Sequence, residues 1–463
     1  MPKHRQASGP GLLRQLGFFS ATALVISNMI GTGIFTSTGF MAADLGDARL
    51  ILLLWVLGAF FALAGALSYS ELGINFPASG GEYVYLTRAY GPTWGFMTGW
   101  VSFFAGFSAP IAAAALAFSD YLGYFFPSLQ AANATYVVGT GALSLSLGGG
   151  QVMACALIAA FTALNCFGVA RVAKVQNVLT MTKVIVIIGF IILGFLAGTG
   201  RWEHFHEPAV RTATTSIPVQ LVVSLVWVMV GYSGWNAATY VAEELRRPER
   251  TLPAALAVGT AVVATLYFGL NMVFIYSTPL ESMKGVLAVG SVAAKNLFGP
   301  EVAGTFAALM AVSIMSTVNA MVTIGPRVYY AMAKNKAFFP RAAKVHPRFH
   351  TPVTAILAQG VCSMLLTLTP FPQLMIYIGL TLTFFTVMSV ASLFKFRRRP
   401  DWQRLRPVSL AFPLIPAAYI LVGTLMMGYG IVWQPGPSLM AALTIGLGAA
   451  VYHFFLRPRA ESD

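Results

Sequence analysis

Two glycine-rich breaks, Gly31-Thr32-Gly33 and Gly231-Tyr232-Ser233-Gly234, limit what this chain can fold into. Each lies inside a long apolar segment, and their first glycines stand 200 positions apart. Apolar segments of about 20 residues span a bilayer as continuous helices. A break within one frees backbone N–H and C=O groups, which are tolerated only against protein or a polar cavity. Two spans broken at corresponding places in the two halves of a chain imply a transporter built from repeats. The N–H groups and positive end of one half-helix suit a carboxylate, and the carbonyls at the other side of the break suit an ammonium.

The rest of the chain reads as membrane protein. Apolar residues make up 57% and charged residues 10%, against about 25% charged in soluble domains. Twelve helical spans are expected, near 16–43, 50–74, 92–126, 150–169, 172–199, 217–245, 252–278, 300–333, 352–370, 371–395, 409–433 and 437–456. The basic N-terminus precedes an apolar segment too long for a cleavable signal peptide. With the N-terminus inside, 23 of the 29 basic residues fall on the inner side, from Lys3 and Arg5 through Arg88 and Lys395–Arg399 to Arg457 and Arg459. Only Arg49, Arg201, Arg211, Lys284 and Lys295 fall outside, and Lys183 lies within a span. This positive-inside bias makes the net charge of +14 topological rather than a sign of nucleic-acid binding. Cys155, Cys166 and Cys362 all fall in expected spans and give no disulfide framework.

The first five and the next five spans share a layout: each group opens with a glycine-broken helix and has a long third helix. The expected divisions are an N-terminal segment 1–15, a first repeat 16–199, a second repeat 217–396, two further helices in 409–456 and a C-terminal segment 457–463. Residues 74–92 read as an ordered loop through Asn75-Phe76-Pro77-Ala78-Ser79-Gly80-Gly81-Glu82-Tyr83. Glu243, Glu244, Arg246, Arg247, Glu249 and Arg250 read as a helix end held by ion pairs, or as a gate that breaks in one state.

Three blocks carry a family likeness: Ile30-Gly31-Thr32-Gly33-Ile34-Phe35; Ser68-Tyr69-Ser70-Glu71-Leu72 running into Pro77–Tyr83; and Tyr232-Ser233-Gly234-Trp235-Asn236 followed by Tyr240–Glu244 and Pro248. In this order the chain resembles the amino acid–polyamine–organocation (APC) superfamily, nearest its L-type amino acid transporters and their bacterial homologues. The resemblance implies an all-α integral membrane protein of the LeuT-type fold. That fold has 12 transmembrane helices in a 5+5 inverted repeat, the first and sixth helices unwound at the midplane. It also implies exchange or proton-linked uptake of amino acids. Thr32 and Gly33 would offer N–H groups to the substrate carboxylate. Carbonyls near Ile30, Gly31 and Val230–Tyr232 would take the ammonium. Tyr232, Trp235 and Asn236 would lie around the cavity, with Ser233 and Gly234 in the second break. Many relatives carry an aromatic ring where this chain has Val230, so Trp227, one turn earlier, would cover the site instead.

Lys183 lies about 13 Å along the fifth span from Lys174 at 1.5 Å per residue. It either snorkels to the interface or faces a pathway. By the resemblance, its ammonium stands where sodium-coupled members of the fold hold sodium, bonded to carbonyls near Gly31 and to Ser316 or Thr317. A permanently charged Lys183 would be a structural tie and imply exchange; a titrating one would imply proton symport. Glu71 reads as a solvated helix-end carboxylate or a partner of Arg88, and His204/His206 lack a third metal ligand.

The expected function is a carrier of neutral amino acids, since the broken segments hold no acidic residue to pair a cationic side chain. A cationic amino acid or polyamine permease and a non-transporting amino acid sensor are the alternatives. No nucleophile, phosphate loop or metal motif points to an enzyme. Neither cofactor nor metal is expected. The partners are an amino acid, the lipid bilayer and, for symport, protons. Nucleic acid and a disulfide-linked heavy chain are not expected. The place is a bacterial inner (plasma) membrane, crossed many times, with both termini cytoplasmic.

Overall fold

The computed structural model describes residues 12–130, 133, 135–138, 145–286, 289–369, 371–433 and 435–456. Lys3, Arg5, Arg457, Arg459, most of segment 1–15 and all of 457–463 lie outside the described residues. The rest is almost entirely helical. In chain order the helices are α1 Phe18–Met29, α2 Gly33–Leu45, α3 Ala48–Asn75, α4 Glu82–Tyr90, α5 Pro92–Val101, α6 Ala109–Leu122, α7 Gly149–Cys166, α8 Val169–Leu196 and α9 Ile217–Tyr232. They continue as α10 Pro248–Ser277, α11 Leu280–Met283, α12 Val289–Phe298, α13 Pro300–Lys334, α14 Val353–Leu366, α15 Phe371–Phe396, α16 Arg406–Leu410, α17 Leu414–Trp433 and α18 Pro435–Val451. One short antiparallel ribbon, β1 Tyr136–Val138 with β2 Leu145–Leu147, pairs Tyr136 with Leu147.

Among the described residues, ten helical stretches are long and apolar enough to cross a membrane. Two shorter apolar helices, Val353–Leu366 and Ser438–Phe454, stand where the ninth and twelfth spans were expected. The molecule is apolar outside as well as inside: Phe60, Val178, Ile185, Leu196, Leu365 and Phe454 are all exposed. A soluble surface avoids such a belt, whereas hydrocarbon requires one.

Local chemistry explains the interruptions. Gly46 ends α2 in the left-handed region at φ 65°, and the Asp47 carboxylate accepts from Arg49 N at 2.7 Å to start α3. The long third span is α5 and α6 joined by a π-helical turn, Ser102–Ser108. Pro110, two residues into α6, has no N–H to give the preceding turn, and a π turn absorbs that mismatch. The stretch read as an ordered loop at 74–92 contains helix α4. Gly80 and Gly81, at φ 117° and 53°, fold the chain back into the bundle just before it.

Leu16 and several connections meet at one end of the bundle, here the basic end. Leu16 pairs in parallel with Leu245, and Asn335 donates to the Tyr83 hydroxyl at 3.1 Å. Glu71 is fully buried there, neither solvated nor bonded to Arg88. It accepts from Arg397 at 2.7 and 2.6 Å, from Trp402 Nε1 at 2.8 Å and from Leu405 N at 2.9 Å. The sequence reading missed this partner because it comes from the far end of α15.

Candidate binding site between two broken helices

The first span parts between α1 and α2, at Ile30–Thr32. The second parts after α9, at Ser233–Asn236, and resumes as a 3-10 helix over Ala237–Glu244. The second break therefore begins two residues later than the first glycine of its motif. The breaks touch. A methyl group added at Gly33 would lie 2.9 Å from Gly231 Cα, while one at Gly31 would meet nothing nearer than Thr317 Cγ2 at 3.8 Å. Gly234 has φ 94°, and a Cβ there would run into the Asn28 side chain and backbone.

Two side chains brace the breaks. The Tyr267 hydroxyl of α10 lies 2.6 Å from Met29 O and 2.9 Å from Gly231 O, bridging one break to the other. Lys183 of α8 is fully buried and does not snorkel. Its ammonium donates to Ile30 O at 2.7 Å, to Thr317 Oγ1 at 2.7 Å and to Ser27 O at 3.4 Å. Thr317 Oγ1 also donates to Ile30 O at 2.7 Å. Ser316 does not reach the ammonium; its hydroxyl meets Ser27 Oγ at 2.6 Å.

A cavity opens beside the breaks. Gly31, Thr32, Gly33, Gly231, Ser233 and Gly234 line it, as do Val230, Trp235, Asn236 and Thr317. Ile30, Tyr232, Lys183 and Ser316, expected at the site, are not on its wall. Tyr232 turns away, donating to Trp55 O at 3.1 Å between the rings of Trp55 and Tyr267. Trp227 does not cover the site either: it stacks on Phe40 at 4.6 Å, off the wall. Apolar side chains complete the chamber, among them Val226, Met229, Ile378, Leu382 and Phe385. The π turn contributes Ser102, Gly106 and Phe107.

The polar groups of this wall match a zwitterion. No side chain caps the start of α2, so the first N–H groups of that helix are left for a ligand at its positive end. On the other side, Asn28 Oδ1 is buried without a partner among the described residues. Ile30 O was expected to take an ammonium, but it already accepts from both Lys183 and Thr317, which uses both its lone pairs. Gly231 O, with only the shared Tyr267 hydroxyl, keeps capacity to accept.

A buried polar chain leaves this site toward the basic end. Ser316, Asn319, Thr323 and Arg327 recur every three or four residues on one face of α13. Gln176 Nε2 donates to Ser316 Oγ at 3.0 Å, and Asn319 Nδ2 to Gln176 Oε1 at 2.7 Å. Asn165 Nδ2 donates to Asn319 Oδ1 at 3.0 Å, and Thr323 Oγ1 to Asn165 Oδ1 at 2.9 Å. Arg327 donates to Thr323 O and pairs with the Glu244 carboxylate at 2.7 Å, with both side chains almost wholly buried. The charged run at 243–250 is thus split: Glu244 is locked to α13, Glu243 meets Lys334 at the surface at 3.2 Å, and Arg246, Arg247, Glu249 and Arg250 are exposed. The sequence reading missed Asn165, Gln176 and Asn319; the polar repeat along an apolar α13 could have found Asn319, but not its partners on α7 and α8. His204 and His206 hold no common ligand position: His206 meets Arg49 at 2.8 Å, while His204 meets Arg201 and Tyr276 O.

Comparison with known proteins places this arrangement. The sequence profile of the family described as amino acid permease matches residues 16–450. The chain is 28% identical over 459 residues to the serine/threonine exchanger SteT of Bacillus subtilis (strain 168), covering 98% of this chain and 99% of that one. It is 27% identical to the human large neutral amino acids transporter small subunit 2, over 98% of this chain and 83% of the relative. It is 26% identical to the mouse b(0,+)-type amino acid transporter 1, over 96% and 88%.

Proposed function

The chain belongs to the amino acid permease family, and from that premise we propose that it exchanges neutral amino acids across a plasma membrane by alternating access. The observation that carries this reading is the uncapped start of α2 facing the cavity beside Gly231 O and Asn28 Oδ1. The substrate carboxylate sits on the N–H groups at Thr32 and Gly33. Its ammonium meets Gly231 O and Asn28 Oδ1. The side chain enters the apolar chamber of Val226, Met229 and Leu382, which suits an uncharged group.

Twelve spans form a 5+5 inverted repeat over 16–199 and 217–396, followed by two helices in 409–456, with both termini cytoplasmic. The basic end then faces the cytoplasm, in keeping with the positive-inside bias. Lys183 serves as a structural tie, its ammonium bonded to Ile30 O beside the first break and to Thr317 Oγ1 of α13. Exchange, as in the name of the bacterial relative, follows from that. The chain works as a carrier and not as an enzyme. A disulfide-linked subunit is not part of this reading, since the three cysteines lie within helices α7 and α14 and none is in a loop.

Ligand analogues test the site directly. In a thermal-shift titration of purified protein, serine is expected to stabilise the fold. Ethanolamine, which lacks the carboxylate, and hydroxypropionate, which lacks the ammonium, are expected not to. Gly33→Ala should weaken serine binding roughly tenfold or more, the equivalent of about 1.4 kcal/mol, because its methyl group meets backbone that cannot yield. Gly31→Ala has room and should bind serine nearly as the parent does. Equal stabilisation by serine and ethanolamine would remove α2 as the carboxylate site.

A further inference from the structure

Among the described residues, three carboxylates are buried: Glu71, Glu82 and Glu244. Arg397 neutralises Glu71, and Arg327 neutralises Glu244. Glu82 is 4% exposed and forms no ion pair. It is also the one of the three on the cavity wall. The sequence reading left it out because it sits outside both breaks, in the stretch taken for a loop. Gly80 and Gly81 turn it inward as the first residue of α4.

Among the described residues, only neutral groups face this carboxyl. Tyr69 of α3 donates to Oε1 at 3.1 Å, and Asn236, just past the second break, donates to the same oxygen at 2.5 Å. The Asn236 amide also donates to the Tyr240 hydroxyl at 3.0 Å. Tyr85 of its own helix, Tyr240 of the 3-10 helix and Tyr419 of α17 are the other titratable groups around it. Arg88, the cation on α4, is at the exposed end of that helix. A buried carboxylate without a cation is costly, and it is relieved by a proton or by water. Burial pushes the Glu82 carboxyl above the usual range, while hydrogen bonds from Tyr240, its own backbone, Tyr69 and Asn236 pull it back.

We propose that Glu82 is a proton-binding site at the cytoplasmic end of the substrate cavity, filled when that end is closed and emptied to the same side when it opens. The proton adds to one carboxyl oxygen on closure and returns to cytoplasmic water on opening, so no proton crosses the membrane with the substrate. The inference rests on the transport reading for the opening and closing of the cavity, and on the buried, cation-free carboxyl for the proton site itself. Its sign follows from the geometry. The closed state binds the proton more tightly than the open, watered state. Acid therefore favours closure, fully so below the ordinary carboxyl range, and that preference fades as pH rises through the raised value. Exchange should slow as cytoplasmic-side pH falls, by roughly tenfold for each unit by which closure raises the proton affinity.

The test is infrared difference spectroscopy on the purified protein, paired with serine exchange in liposomes at varied pH on one side. As pH is lowered, the wild type should gain a protonated carboxyl C=O band, missing in Glu82→Gln, at a pH above the ordinary carboxyl range. The variant should exchange slowly and without pH dependence, like the wild type in acid. Tyr69→Phe removes a donor to the ionised form and should move the wild-type profile to higher pH. The absence of any such band above the ordinary carboxyl range would overturn the proposal, as would an unshifted Tyr69→Phe profile. The band reads the proton whether or not an amino acid moves. A band without transport would therefore count against the transport reading and not against this site.

Discussion

Lys183→Ala is expected to lower amino acid exchange on the order of a hundredfold while the protein still inserts and purifies as folded material. The ammonium makes two short bonds, to Ile30 O and Thr317 Oγ1. Hydrogen bonds from charged groups contribute about 1.5–3 kcal/mol each, and 1.4 kcal/mol is a factor of ten. Losing both unties α8 from the end of α1 at the point where the first span parts and leaves Ile30 O held by the Thr317 hydroxyl alone. Lys183→Arg should not restore exchange, because a planar guanidinium is larger and its donors are fixed in a fork. Exchange by Lys183→Ala at the parent rate would show that the tie is dispensable.

Breaking the Arg327–Glu244 pair is expected to have the largest effect on stability. Both side chains are buried, at 1% and 0% exposure. Arg327→Met leaves the Glu244 carboxylate without its cation, which costs about 3–5 kcal/mol in a buried pair. The pair holds the 3-10 helix after the second break to α13, and Leu16 adds a backbone bond to Glu244 O at 3.0 Å. Arg327→Met and Glu244→Gln should each lower the thermal midpoint markedly in detergent. The double variant Arg327→Met/Glu244→Leu should recover most of it, since replacing both charges removes the unpaired ion. Single variants that melt like the parent would mean the pair is not a tie.

The helices, their order and the two breaks were legible because membrane spans announce themselves by length and apolarity, and glycine pairs mark where they part. Thr32, Gly33, Gly234, Trp235 and Asn236, expected at the site from the breaks and the family resemblance together, line the cavity wall. What was not legible depends on which way a side chain turns. Tyr232 sits between cavity residues in sequence, yet rotates out to Trp55. Trp227 is one turn from Val230 but prefers the face of Phe40. Partners far apart in sequence were also hidden. Glu71 finds Arg397 across 326 positions, and Glu82 enters the cavity through a turn whose inward fold depends on two positive φ angles.

The central claim is that the two breaks hold an amino acid and carry it by exchange. The most direct measurement is uptake of labelled alanine, serine and leucine into liposomes holding the purified protein. Vesicles preloaded with unlabelled amino acid would be compared with empty ones, with and without an inward proton gradient. The account predicts uptake into preloaded vesicles only, with the gradient altering the exchange rate at most and driving no accumulation in empty ones. Accumulation in empty vesicles driven by the gradient alone would contradict it.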